Sequence, residues 1–183
     1  MITRLLLLLV LPGLVLFAAT ANAQTRDHLT PQEVDLVKEA QVLDKRIDVF
    51  IKAASRRVIV LNGGAATPVN TKQAKKEAEL WGELPTGSRA ELVSDIARIF
   101  DEAITNIDDV SARDERNPLI GKSLRKLAQA VNTIMEQLKP LSAGAKGDAE
   151  IASFEMLNED AQSILEAATK LPPEVEKKGK AKN

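Results

Sequence analysis

Apolar side chains recur every three or four residues through most of this chain, and this period limits the fold more than any other feature. Residues spaced in this way lie on one face of an α-helix, whereas a half-buried strand needs alternation by twos. The most regular instance is the set Ile120, Leu124, Leu127, Val131, Ile134 and Leu138. This stripe predicts a long helix that buries one face.

Start and stop signals bound two of the predicted helices. Asn117-Pro118 supplies a cap and a first-turn proline before the stripe, and Pro140 is expected to follow the end of that helix. Ser88 and Glu91 have the spacing of a capping box, in which each side chain bonds the backbone of the other. A second apolar stripe follows that box, at Leu92, Ile96, Ile99, Ala103, Ile107 and Val110.

The remaining two long helices are predicted at the two ends of the domain. Thr30 and Glu33 form another capping box, and a continuous helix is expected from Thr30 to Asn62, where Gly63-Gly64 stops it. Asp148 is expected to cap the last helix, and Pro172-Pro173 closes it. Its stripe consists of Ile151, Phe154, Leu157, Ala161, Ile164, Leu165, Ala168 and Leu171.

A short helix is predicted between the first two long ones, at 71–81. It follows an apolar tetrad, Val58–Leu61, which leaves no polar face at the end of the first helix. We expect the short helix to fold back as a lid on that end and to bury Trp81. The same tetrad also favours a β-strand, but the chain has no second strand to pair with it.

The fold predicted from these patterns is all-α: an antiparallel bundle of four long helices with one short extra helix. Each stripe extends over two to four heptads, so coiled-coil-like packing is expected between helices. The domain is expected to occupy residues 24–173. A disordered basic tail is expected at 174–183.

The first 23 residues have the layout of a secretory signal peptide. A basic start at Arg4 precedes a short apolar run, and Ala21-Asn22-Ala23 provides the small residues that a signal peptidase recognises. The run is shorter than the roughly 20 apolar residues that a membrane-spanning helix needs. We therefore expect cleavage between Ala23 and Gln24, export to the periplasm or the outside, and no transmembrane segment in the mature chain.

Composition excludes several classes of function. After the expected cleavage the chain carries 24 basic and 26 acidic residues, too balanced to favour nucleic acid as a partner. There is no cysteine, which excludes thiol nucleophiles, thiolate metal sites and covalently attached haem. A bacterial envelope or secreted location is the preferred setting, and a eukaryotic secreted protein is the alternative.

No pattern of catalytic, cofactor-binding or metal-ligating residues stands out. His28, the only histidine, precedes the first helix and is expected to be solvated and dispensable. An acidic group is expected to form a solvated helix face with Arg98 and Arg113, and weak calcium binding is the alternative. Its members are Asp95, Asp101, Glu102, Asp108, Asp109, Asp114 and Glu115.

Basic residues form pairs along the helices and a cluster at the end of the chain. The pairs Lys45-Arg46, Arg56-Arg57 and Lys75-Lys76 are expected on solvated faces. The end of the chain offers a possible contact with an anionic surface, through Lys177, Lys178, Lys180 and Lys182. Each such lysine is worth about 1 kcal/mol near an anionic membrane.

Three hypotheses about function follow. The first is a non-enzymatic exported bundle with a structural or partner-binding role, in which a groove between helices, or the exposed part of the first helix, receives a partner helix or an extended segment. The second is weak electrostatic attachment to the envelope surface through the lysine tail. The third, an enzyme or metal protein, has the least support from the sequence.

Overall fold

The structure is a computed structural model that describes residues 26–64 and 72–172, and every regular element in those residues is an α-helix. The predicted all-α class is therefore confirmed. The six helices are α1 (Pro31–Glu39), α2 (Leu43–Leu61), α3 (Lys72–Trp81), α4 (Arg89–Arg113), α5 (Pro118–Ala143) and α6 (Asp148–Thr169). No helix in the described ranges is both long enough and apolar enough to span a bilayer. The expected leader and lysine tail lie outside them.

The first long helix is broken in two, which corrects the prediction of one helix from Thr30 to Asn62. The chain leaves helical geometry at Ala40, whose ψ is 81°, and α2 starts at Leu43. The break reverses the chain, because Oε1 of Glu33 lies 2.7 Å from Nη1 of Arg56. In one continuous helix these two residues would be about 35 Å apart. The structure thus has two short helices, α1 and α3, where one was expected.

The four long helices pack closely, and α2 and α5 lie side by side in the same direction. Lys122 donates a hydrogen bond to Asp44 at 2.6 Å, and Lys126 donates one to Asp48 at 2.7 Å. Both helices therefore advance together along this pair. Lys126 lies outside the apolar stripe of α5, but it is half-buried and bound to α2.

Helices α4 and α6 run in the direction opposite to α2 and α5. Arg46 of α2 donates to Asn106 late in α4, which makes these helices antiparallel. Arg89 pairs with Glu150 at 2.6 Å, so α4 and α6 start at the same end. The four long helices therefore alternate in direction along the chain. Two pairs that are neighbours in space, α2 with α5 and α4 with α6, are parallel.

The core confirms most of the predicted faces. Leu127 and Val131 in the middle of the α5 stripe are fully buried, and Ile120 at its start is half-buried. In α6, Leu157 and Ile164 are buried as expected. Ile151 departs from the prediction, since it lies on the solvent side of the first turn and is 43% exposed.

Three of the four predicted N-caps form. The C-terminal end of α5 and the N-cap of α6 differ from the prediction. Both capping boxes form, and Asn117 accepts a hydrogen bond from Leu119. Helix α5 continues past Pro140, which is exposed and lies in the last turn, where water can bond the carbonyl that proline leaves unpaired. The N-cap residue of α6 is Gly147 and not Asp148. Gly147 has a φ of 81°, a backbone conformation that glycine adopts readily.

Trp81 is buried, as predicted, but α3 packs against α1 and does not form the expected lid on the Val58–Leu61 end of α2. The Trp81 ring is 8% exposed and lies 4.7 Å from Nζ of Lys52 and 5.6 Å from the guanidinium of Arg56. These contacts lie before the Val58–Leu61 tetrad. Ile59 within that tetrad is 43% exposed, so one face of α2 there is left open to solvent.

Candidate functional site

The open face of α2 borders a groove along the parallel helices α2 and α5. Its volume is about 540 Å³. Ile134 forms part of the floor, with Ile51 half-buried at one wall and the exposed Ile59 toward the far end. The full lining is Asp48, Ile51, Ser55, Ile59, Lys126, Gln129, Ala130, Thr133, Ile134 and Gln137.

The groove is depleted of charge. Its only charged lining residues, Asp48 and Lys126, lie together at one end and pair with each other at 2.7 Å. The rest of the lining is apolar or carries hydroxyl and amide groups. Eight of the ten lining residues, including all those away from that end, are therefore uncharged. Depletion of charged side chains is a mark of the centre of protein–protein interfaces.

The dimensions suit a short segment of another polypeptide. From Ile51 to Ile59 the helix rises about 12 Å, and from Gln129 to Gln137 the other wall rises by the same amount. That length accommodates two to three turns of a helix or four residues of extended chain. The hydroxyl and amide groups of the rim, such as Ser55 and Thr133, can bond a partner's polar groups.

A buried ionic cluster lies elsewhere in the fold and holds the start of the chain against α2. Glu33 is fully buried, and its Oε1 accepts from Nη1 of Arg56 at 2.7 Å and from Nη1 of Arg57 at 2.8 Å. Its Oε2 lies 2.8 Å from Nη2 of Arg57 and accepts from the Thr30 amide at 2.9 Å. Both carboxylate oxygens are thus engaged by two partners each.

The two arginines also bind backbone carbonyls of three separate segments. Arg56 donates to the carbonyls of Gly82 and Glu83, just after α3. Arg57 donates to the carbonyls of Ala53 and His28. Adjacent residues of α2 therefore connect the N-terminal segment, α1 and the loop after α3.

Asp95 of α4 extends the cluster and is buried, which corrects its assignment to a solvated acidic face. Its Oδ2 accepts from Nη2 of Arg26 at 2.9 Å and lies 3.7 Å from Nε of Arg57. Burial raises the pKa of Asp95, and the positive charges of Arg26 and Arg57 oppose that rise. The Arg57 Nε has no hydrogen-bond partner among the described residues, since 3.7 Å is too long for one.

His28 is part of the folded structure, which corrects the prediction of a solvated residue in a loose terminus. Its Nε2 lies 2.8 Å from Oε2 of Glu102, and the side chain is mostly buried. The next residue, Leu29, belongs to the hydrophobic core. Residues 26–30 are thus held by α2 and α4. The sequence gives no periodic signal for such a segment, because it forms no helix or strand.

The structure describes only one of the two charged clusters that the sequence singled out. Lys177, Lys178, Lys180 and Lys182 lie outside the described residues. Of the acidic group, Asp101, Asp108, Asp109, Asp114 and Glu115 are exposed along α4 and after it, as expected. Within 26–64 and 72–172, no group of three or more histidine, aspartate or glutamate side chains is placed to hold a metal ion.

The Arg56-Arg57 pair is the main feature that sequence reasoning missed. It was expected on a solvated face, but the two residues are 5% and 1% exposed. No local pattern marks the pair as buried, because its burial depends on a carboxylate 23 residues away, at Glu33. Its partner Glu33 was hidden by its other role in the capping box.

No protein-family model, curated protein or solved structure matches this chain.

Proposed function

We propose that this chain is an exported, non-enzymatic helical-bundle protein of the bacterial envelope that binds a protein partner through the α2/α5 groove. The four long helices act as a bundle of alternating chain direction, with α1 packed on α2 and α3 packed on α1. The observation that supports this proposal most is the charge-depleted groove with the exposed Ile59 at its wall. A purely structural role without a partner is the nearest competing form.

A matched pair of substitutions tests the groove. Ile59→Glu places a charge in the groove, and Ile151→Glu places the same charge on α6. The two isoleucines are equally exposed, at 43%, so both variants are expected to fold alike. The tagged mature variants and the unchanged protein are each used to capture partners from the native cell envelope.

The outcome distinguishes specific binding in the groove from non-specific adhesion to an apolar surface. A captured protein that gives a gel band with the unchanged protein and with Ile151→Glu, but not with Ile59→Glu, supports partner binding in the groove. A band lost equally with both variants indicates non-specific apolar adhesion. No band with the unchanged protein leaves the structural role in place of the partner-binding one.

Export is tested separately by the mass of the protein recovered from the envelope fraction. The proposal requires a mature chain that starts at Gln24, because Ala21-Asn22-Ala23 has the spacing of a cleavage site. An intact mass that includes the first 23 residues would favour a retained membrane anchor instead.

The alternative function is attachment to an anionic envelope surface through Lys177, Lys178, Lys180 and Lys182. A chain stopped after Pro173 removes these lysines together with Glu174 and Glu176. Under this alternative, binding to anionic vesicles at low salt weakens after truncation. Binding by the full chain fades near 0.15 M salt, where the screening length is about 8 Å. Metal analysis of the purified protein tests the third, enzymatic or metal-binding, hypothesis.

A further inference from the structure

The break between α1 and α2 has no local cause in the sequence. It falls at Ala40, Gln41 and Val42, and none of these is glycine or proline. Alanine and glutamine are among the better helix formers, and valine costs a helix only a fraction of a kcal/mol. The residues that usually end a helix are therefore missing at the point where α1 ends.

The apolar stripe also continues in phase across the break. Leu36, Ala40, Leu43 and Ile47 are spaced by four, three and four residues, which places them on one face of a single helix. This register is the reason that the sequence predicts one helix there. A sequence designed only for a bent connection has no need to keep it.

Contacts between distant residues hold α1 in place, and the central one is ionic. Glu33 is the only fully buried residue of α1. The apolar residues Val34, Leu36 and Val37 pack against the core but are only half-buried. Helix α1 contacts α2 and α3 but none of the other long helices. Docking of α1 therefore depends heavily on the bonds from Arg56 and Arg57 to Glu33.

The start of α2 has no side-chain cap in the bent arrangement, although Arg46 of its first turn donates from Nε to the Ala40 carbonyl at 3.0 Å. Its N-cap residue is Val42, which supplies no side-chain hydrogen bond to the first turn. Valine ranks well below serine, threonine, aspartate and asparagine at this position. In a continuous helix, the carbonyls of α1 would accept bonds from these amide groups.

We propose that residues 40–42 are a hinge between two states of the chain. In one state α1 is docked through Glu33, as in the structure. In the other state α1 leaves Arg56 and Arg57 and joins α2 in one helix from about residue 31 to 61. The cluster selects the bent state, whereas the local sequence and the apolar register favour the straight one.

Two spin labels measure the difference directly. The chain has no cysteine, so Asp35→Cys and Ile59→Cys give two unique attachment sites at exposed positions. In the straight state these positions are about 36 Å apart along the helix. In the bent state the contact between Glu33 and Arg57 keeps them within roughly 20 Å, since each lies two residues from that contact. Pulsed electron spin resonance resolves these two distances.

The cluster is perturbed by Glu33→Gln, which preserves the shape of the side chain. We expect the unchanged protein to give mainly the short distance and Glu33→Gln to raise the population near 36 Å at least several-fold. Adding Val42→Pro should remove that long distance, because proline blocks a continuous helix. Val42 already has an extended backbone, with φ −93° and ψ 129°.

The result that overturns the proposal is an unchanged short distance in Glu33→Gln. A broad distribution without a maximum near 36 Å overturns it too, since α1 would then detach without joining α2. If Glu33→Gln lacks the helical circular dichroism of the unchanged protein, Val42→Ala decides instead, because it favours a helix at the hinge and leaves the cluster intact. A long-distance population that does not rise in Val42→Ala then refutes the hinge.

Discussion

Glu33→Gln is the substitution whose effect on stability follows most directly from the structure. The carboxylate accepts bonds from Arg56, from Arg57 and from the Thr30 amide. An amide has one oxygen and one NH2 group. In either orientation the NH2 group therefore faces N–H donors, whose hydrogen bonds it cannot accept. The substitution therefore removes the charge and two acceptor contacts without leaving a cavity.

The expected loss follows from the burial of the cluster. Removing one partner of a buried ion pair costs about 3–5 kcal/mol, because the remaining charges stay buried without compensation. Arg56 and Arg57 keep their carbonyl partners, and Arg57 keeps Asp95 nearby. Relaxation of α1 lowers the cost further, so a value of about 3 kcal/mol is expected.

Urea unfolding followed by circular dichroism at 222 nm measures this loss. With a slope of about 2 kcal/mol per molar urea, the midpoint should fall by roughly 1.5 M. Glu39→Gln makes the same chemical change at an exposed position of the same helix, and it should change stability by less than about 0.5 kcal/mol. Similar midpoints for the two variants would show that the cluster does not anchor α1.

Four further outcomes are expected. Leu127→Ala should cost about 2–5 kcal/mol, whereas Lys126→Ala, which removes a half-exposed pair with Asp48 and a hydrogen bond to the Asp44 carbonyl, should cost about 1 kcal/mol; equal losses in urea unfolding would contradict the assigned face. Trp81 emission should be blue-shifted in the folded protein and move to the red in urea, because the ring is buried; emission like that of indole in water would refute its place against Lys52. Deleting residues 24–28 should lower the melting temperature by several degrees, at roughly 2–4 °C per kcal/mol, since Arg26 pairs with Asp95 and His28 with Glu102; an unchanged melting temperature would restore the expectation of a loose terminus. The hydrogen bond from Lys122 lowers the pKa of Asp44 below its ordinary 3.8. The contribution of this bond to stability is therefore complete above about that pH and is lost as the pH falls through the lowered pKa. The unchanged protein should lose more stability in that acid range than Asp44→Asn does.

Sequence periodicity predicted the parts of the fold that depend on local geometry. The α5 stripe is buried where Leu127 and Val131 were expected to be, and the capping boxes at Thr30 and Ser88 form as written in the sequence. These features depend on residues three or four positions apart. Such spacings are fixed by the helix itself and need no knowledge of the tertiary fold.

Periodicity failed where contacts over long sequence separations decide the structure. The bend after Glu39 depends on a contact across 23 residues, between Glu33 and Arg56. The packing of residues 26–30 depends on Asp95 and Glu102, which are about 70 positions away. An Arg-Arg pair on a helix is solvated in most sequences, so only the position of its carboxylate partner could reveal that this one is buried.

The location of the candidate groove could not be predicted from the sequence. The sequence allowed a groove between helices or an exposed part of the first helix, and the α2/α5 groove combines both through Ile59. Its location depends on which helices become neighbours. That outcome could not be read from stripes alone, because every long helix carries one.

Site-specific photo-crosslinking in living cells tests the central claim, a partner held in the α2/α5 groove, most directly. A photoreactive amino acid is placed at Thr133, on the groove rim, and in a second strain at Ser163, which is exposed on α6 and does not line the groove. The account predicts a discrete adduct of fixed mass from Thr133 and none from Ser163. An adduct from Ser163 alone, or no adduct from either position, would contradict partner binding in this groove.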